Sequence, residues 1–244
     1  MRMTAIRWRS RLALALAAWL AAAGSAAAGS FSLAPIRLEM DHATKTGVVT
    51  LHNDAELPVT IQIDTVAWTQ GEDGDRYAPS RDLIVTPPVF VVPAKGEQIV
   101  RVARRATADA GAELPYRLFF QEVPDTTPQS GTGLRIALRV GIPVFVVAAG
   151  AAPEVKFTAA VGEHGGIEIS ASNSGRAHLQ ISDFEVAAAD GTPLGAVSGS
   201  RYLLPGSTAH WTLTPATTVP PGALTIHGHG DRGAFTADVD PAAR

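Results

Sequence analysis

The stretch 227-HGHGD-231 sets two histidines two residues apart with an aspartate two further on, donor types that can hold a transition metal. No Glu or His elsewhere falls into an evident partner motif, and a glycine-rich His/Asp run of this kind reads as a turn, so no metal is expected. No cofactor is expected either, because the chain carries no P-loop and no dinucleotide fingerprint. Serines and seven histidines are available for Ser-His-Asp chemistry. No G-x-S-x-G elbow or comparable frame places a nucleophile among them, which argues against an enzyme. The basic residues are more informative. Arg37, Arg101, Arg117, Arg135 and Arg139 all fall inside strand patterns, whereas Lys45, Lys95 and Lys156 stand at strand edges or turns. A strand arginine usually lies on the solvated face, and a buried one needs a carboxylate, which its planar fork suits.

The elements that must position these side chains are strands. Period-2 patterns run through Phe31 to Glu39, Gly47 to His52, Val59 to Thr69, Glu97 to Ala103, Tyr116 to Val123 and Leu134 to Val147. After the small, uncharged break 148-AAGAAP-153 a second set covers Val155 to Val161, Ile167 to Ser172, Leu179 to Val186, His210 to Thr214, Leu224 to His227 and Phe235 to Val239. No long amphipathic helix pattern occurs. Roughly six or seven short strands in each half, with frequent turn signals, predict an all-β chain of two immunoglobulin-like sandwiches. A single large barrel or jelly roll is the alternative, and the break near the middle disfavours it.

One strand raises a problem of its own. In 134-LRIALRVGIPVFVV-147, Leu134, Ile136, Leu138, Val140, Ile142 and Val144 would line one face, while Arg135 and Arg139 take the other. Such a face needs a cover.

Composition bounds where the chain works. Four arginines precede an apolar run from Leu12 to Ala23, and Ala26-Ala27-Ala28 supplies small residues for cleavage, which together predict a signal peptide over residues 1–28. The run is shorter than the roughly 20 residues of a spanning helix, so no membrane insertion is expected after cleavage. Removing four arginines and no acids takes the formal charge from −3 to −7. An acidic exported protein is a poor nucleic-acid binder. The absence of cysteine excludes a disulfide framework and thiol catalysis.

Three segments, 86-TPPVFVVPAKGEQIVRV-102, 116-YRLFFQEVP-124 and 134-LRIALRVGIPVFV-146, occur in the order and spacing of the periplasmic pilus chaperones, the PapD-like family of the chaperone-usher pathway. The opening 32-SLAPIRLEMD-41 resembles that family's first strand, and 229-HGDRGA-234 resembles its second domain weakly. The pair 116-YR-117 followed by 119-FFQE-122 is similar to the archaic branch of the family. The resemblance implies a boomerang of two immunoglobulin-like domains, residues 29–149 and 150–244, that works in the periplasm. Its cleft would hold one pilin subunit, and its G strand would fill the subunit's missing strand by donor-strand complementation before delivery to an outer-membrane usher. A second copy of the chain would be the alternative partner of the free form. An exported structural or adhesive sandwich of a surface fibre is the rival reading; it predicts an N-terminal donor segment, whereas here strand pattern begins almost at the mature N-terminus.

The resemblance also assigns residues. Arg37 matches the first of two basic residues that hold the subunit's C-terminal carboxylate, but the second, a G-strand lysine, aligns with Pro143. Arg117, on the preceding strand, is the candidate to replace it. Arg101, Glu122 and Asp231 correspond to an interdomain ion network. The connection Val123 to Gly133 is short, as in short-loop chaperones, so Leu134, Ile136 and Leu138, with Val140 next, are the expected donor residues. Pro143 is expected to end regular edge pairing, because proline has no N–H to give the ladder.

Overall fold

The computed structural model describes residues 31–41, 43–105, 111–124, 136–162 and 165–243, and among them every regular element is a strand. The expected leader, Leu134, Arg135 and most of the Val123–Gly133 connection lie outside the described residues. The first half holds β1 (Phe31–Ala34), β2 (Leu38–Met40), β3 (Thr46–Asn53), β4 (Val59–Gly71), β5 (Gly74–Pro79), β6 (Leu83–Thr86), β7 (Val89–Val92), β8 (Glu97–Arg104), β9 (Leu114–Glu122) and β10 (Arg139–Val146). The second half holds β11 (Val155–Val161), β12 (Ile167–Asn173), β13 (Leu179–Ala188), β14 (Pro193–Leu203), β15 (Thr208–Leu213), β16 (Leu224–Gly230), β17 (Gly233–Val239) and β18 (Ala242–Ala243).

Each half forms a sandwich. In the first, a sheet of order β1-β3-β8-β6 packs on one of order β2-β10-β9-β4-β5, with β7 paired to β4. In the second, β15-β12-β11-β18 packs on β14-β13-β16-β17. Alternation explains the packing: Val49 and Leu51 of β3, Ile61 and Ile63 of β4, and Leu118 and Phe120 of β9 point into one core. Ile167, Ile169 and Ala171 of β12 and Phe184 and Val186 of β13 point into the other.

Several elements depart from the sequence pattern. Phe31 to Glu39 is two strands in different sheets, β1 on β3 and β2 on β10, because the chain bends at Pro35 and Ile36 and crosses the edge of the sandwich. Phe31, Leu38 and Met40 still share one core. The 227-HGHGD-231 run is strand through Gly230, not a turn. Its two histidines point outward, while a side chain at Gly228 would strike the Phe235 ring and lie 2.7 Å from Phe184. The glycine is there so that β16 can lie on these aromatics. β5 carried no alternation because all six of its residues are exposed.

The two sandwiches share a staple. Asn53, ending β3, is buried; its Nδ2 donates to Leu57 O and Val92 O, and its Oδ1 accepts from Ala55 N. Asn173, ending β12, donates to Ala177 O and Leu203 O and accepts from Gly175 N, the same offsets within the loop. Each side chain satisfies backbone groups where a strand hands over to a loop, which a buried loop end otherwise leaves orphaned.

Tyr116 ties the two sheets of the first sandwich. Its hydroxyl donates to Asp82 Oδ2 at 3.1 Å, and burial together with the Asp82 charge pushes its pKa up to about 12. A raised folded-state value favours the neutral phenol, so the stability it lends is complete below about pH 10 and lost as pH climbs towards about 12. Denaturation midpoints followed across that window should fall in the wild type, and Tyr116→Phe should flatten this part of the profile.

Candidate functional site: the cleft between the sandwiches

Burial of polar side chains at the joint begins with Glu113 and His178, whose side chains are 0% and 1% exposed. Glu113 stands just before β9 and His178 just before β13, so the pair joins the two halves. His178 Nδ1 lies 2.7 Å from Glu113 Oε1, which also accepts from the His178 backbone N–H at 3.1 Å. On its other side His178 Nε2 lies 3.3 Å from Asp231 Oδ2. That same oxygen takes a 2.9 Å hydrogen bond from Arg37 Nη1, while Asp231 Oδ1 accepts from Gln180 N at 3.0 Å. Arg37 closes the chain on Glu39 at 3.2 Å. Burial works against the Arg37 charge, but Glu39 and Asp231 outweigh it and hold its pKa above the ordinary value.

An aromatic packet seals this ion chain. Phe145 stacks on His178 with centroids 3.6 Å apart, Trp68 lies 6.0 Å from Phe145, and Tyr202 meets Trp68 edge-on at 5.4 Å. With Leu204 these residues form a third core between the two large ones. Gln70 adds polar fastening: Nε2 donates to Tyr202 O and Oε1 accepts from Leu204 N. Arg176 donates to Gly111 O and Gly150 O.

The sheet face next to this joint lines an open cleft of about 490 Å³. On it the β9 position opposite Pro143 is Arg117. The Arg117 guanidinium lies 4.2 Å over the Trp68 ring, its side chain is 20% exposed, and Asp75 Oδ2 is 3.9 Å from its Nη2. Its Nε is buried with no hydrogen-bond partner among the described residues. Tyr77 completes this wall, edge-on to Phe119, and burial plus the hydrogen bond it donates to Asp75 raise its pKa, so it remains a donor. Further along the face Arg139 covers Phe119 at 3.8 Å. A side chain at Gly141 would meet that ring at 2.7 Å, so the glycine lets Phe119 lie flat across β10.

β10 has one complete edge and one open edge. Its pairing with β9 is unbroken from Arg139 to Val146, straight through Pro143, and Glu122 N extends it to Leu138 O. On the other side β2 pairs only with Val144, Phe145 and Val146. Pro143 therefore does end an edge, but the outer one; the inner ladder is untouched because an antiparallel strand directs alternate residues to opposite neighbours. Between residues 136 and 143 the outer edge has no strand partner among the described residues. Ile136 is 77% exposed, whereas Leu138 and Val140 are half-buried against the first core on the same face as Ile142 and Val144.

Of the residues expected at sites, Arg37 and Asp231 meet each other and Arg117 stands apart from them in the cleft. The grouping of Arg101 and Glu122 with Asp231 is corrected. Arg101 is exposed on β8, opposite Val48 and Thr86, and the Glu122 carboxylate accepts from Leu138 N at 3.3 Å, while Asp231 is engaged by Arg37, His178 and Gln180. Among the described residues no three His, Asp or Glu side chains converge as metal ligands. Glu113 and His178 carried no sequence signal, since they lie 65 positions apart in unremarkable surroundings.

Residues 30–151, half of the chain, match the family model described as pili and flagellar-assembly chaperone, PapD N-terminal domain. The chain belongs to this family. No curated protein is similar enough to count as a match. Among solved structures, the chaperone-usher chaperone CsuC in complex with the tip subunit CsuE of Acinetobacter baumannii archaic Csu pili is 20% identical, with a TM-score of 0.66 over 88% of this chain and 100% of that one. The YadV chaperone is 17% identical, with a TM-score of 0.62 over 86% and 98%. The Salmonella enterica complex of SafA pilin with the SafB chaperone gives 15%, 0.58, 86% and 96%. These likenesses establish the shared fold across both sandwiches of this family member.

His178→Ala should lower the stability of the full chain by about 3 kcal/mol, because it leaves the Glu113 carboxylate buried without its partner. Adding Glu113→Gln should recover part of that loss. Thermal unfolding of the single and double variants measures both.

Proposed function

We propose that the chain is a non-enzymatic periplasmic chaperone of pilus subunits, which captures an incomplete β-sandwich by strand addition and delivers it to an outer-membrane usher. One observation carries the reading: the open outer edge of β10 stops at Pro143, and Pro143 is in register with Arg117. A client strand laid along that edge gains main-chain hydrogen bonds up to Gly141, the last outward-facing N–H before Pro143, and loses its partner at the proline. Its terminus then comes level with the Arg117 guanidinium, whose Nε has no hydrogen-bond partner among the described residues, so the carboxylate and the end of the ladder set the register together.

The donor face supplies the rest. Ile136, with its exposed side chain, and the half-buried Leu138 and Val140 form the ladder that enters the client's core, with Leu134 preceding them. Covering both the client's edge and its apolar gap removes the two features that drive aggregation. The pilin and tip-subunit complexes of the similarly folded SafB and CsuC support this reading. Because Arg37 is committed to Asp231 and Glu39, we assign the anchor to Arg117 and give Arg37 the joint. Residues 1–28 serve as the leader that takes the chain to the periplasm.

Co-expression with candidate exported subunits should yield a soluble one-to-one complex. Arg117→Ala should weaken it at least about tenfold, about 1.4 kcal/mol, by titration calorimetry, and Leu138→Asp should prevent its isolation. Arg37→Ala should act on thermal stability more than on affinity. Wild-type affinity for Arg117→Ala removes Arg117 from the anchor.

A further inference from the structure

Arg117 faces a carboxylate even in the free chain. Asp75 sits 3.9 Å away, at ion-pair range but too far for a hydrogen bond. Asp75 does not depend on Arg117 for its position. Its Oδ1 accepts from Gln70 Nε2 and its Oδ2 from the Tyr77 hydroxyl, both at 2.9 Å. The neighbouring Arg76 is taken up by Asp73 at 3.3 Å, so it does not compensate Asp75. Gln70 is also the residue fastened to Tyr202 and Leu204 of the second sandwich. The carboxylate beside Arg117 is therefore fixed from the joint, and it lowers the positive potential of Arg117 without consuming its donors.

We infer that Asp75 is a built-in screen on the carboxylate anchor. It makes a lone carboxylate a poor ligand for Arg117, so that only a client which also pairs along β10 is held. The inference rests on Arg117 being the anchor. Three acids, Glu72, Asp73 and Asp75, line the cleft beside Arg117, with Arg201 and His210 on the opposite wall. Like charges a few Å apart repel even in a solvated site, and the nearest acid contributes most. Asp75→Asn keeps an acceptor for Gln70 and removes the charge. Selectivity between a carboxylate alone and a carboxylate at the end of a paired strand would then rest on this residue.

The test uses the full mature chain and acetate as the probe, followed by Trp68 fluorescence beneath Arg117, with acetamide as the neutral control. Three variants are compared with wild type: Asp75→Asn, Arg117→Gln and the double variant. Asp75→Asn should bind acetate about tenfold more tightly than wild type, about 1.4 kcal/mol, and the double variant should lose that gain. Equal acetate affinity in wild type and Asp75→Asn, with binding still lost in Arg117→Gln, overturns the screen while leaving Arg117 as the anchor. A gain that survives in the double variant overturns it too, since the carboxylate would then be held elsewhere. Acetate binding indifferent to Arg117 in every background overturns both the screen and the anchor. Far-ultraviolet melting of each variant confirms that the fold is kept; Ser replaces Asn at position 75 if it is not.

Discussion

A buried histidine between two carboxylates is the constraint on which the cleft depends. Glu113 and Asp231 come from opposite sandwiches, and His178 reaches both, so the two carboxylates share this partner only when the two bodies meet in one arrangement. Taking such groups out of water is costly, and net stabilisation from the trio is small. What the trio gives is selectivity, because any displacement strands a charge. The Phe145–His178 stack turns that electrostatic requirement into a steric one. Trp68, wedged against the same packet, becomes a fixed floor for Arg117, so the position of that guanidinium derives from the joint.

Proline in the middle of a paired strand is ordinarily a fault. At position 143 the missing N–H points towards the side where β2 has not yet begun, and the ladder to β9 runs past it unharmed. One residue thus does what a change of strand length would otherwise have to do: it limits the open edge at a stated level. Exposed edges are a hazard in any exported β protein. On β10 the open stretch is confined to a segment that ends level with a cation.

The fold class was legible because alternation is a strong signal where one face is buried, as in β3, β9 and β12. It failed where both faces are wet, as in β5, and where the chain changed sheets without leaving the core, between β1 and β2. In the HGHGD run the histidines drew the chemistry, yet the glycines explain the pattern, since Gly228 must stay small against Phe184 and Phe235 and Gly230 against the Gln180 carbonyl. The candidate site was legible in part. Arg117 and Pro143 each stood out through resemblance, but their common level is a property of strand register, which no single stretch contains. The partners of Asp231 were hidden for the same reason: Arg37 and His178, the latter held in turn by Glu113, acquire meaning only once distant segments are brought together.

The state of Leu138 and Val140 bears on how a client could be both held and released. Fully exposed, they would be an aggregation site; fully buried, a client could recruit them only by dismantling the chaperone's own core. They are half-buried, on the face shared with Ile142 and Val144, while Ile136 further out is exposed. Burying an aliphatic side chain completely is worth roughly 1.5–3 kcal/mol, so each half-buried position retains only a fraction of that for a new partner. On the proposed reading, a graded series, exposed at the outer end and internal at the inner end, would let a client strand engage from Ile136 inward with increasing constraint. The same gradient would make the outer end the first to be given up to a competing strand, so that on this reading release would proceed in small steps from the end farthest from Arg117.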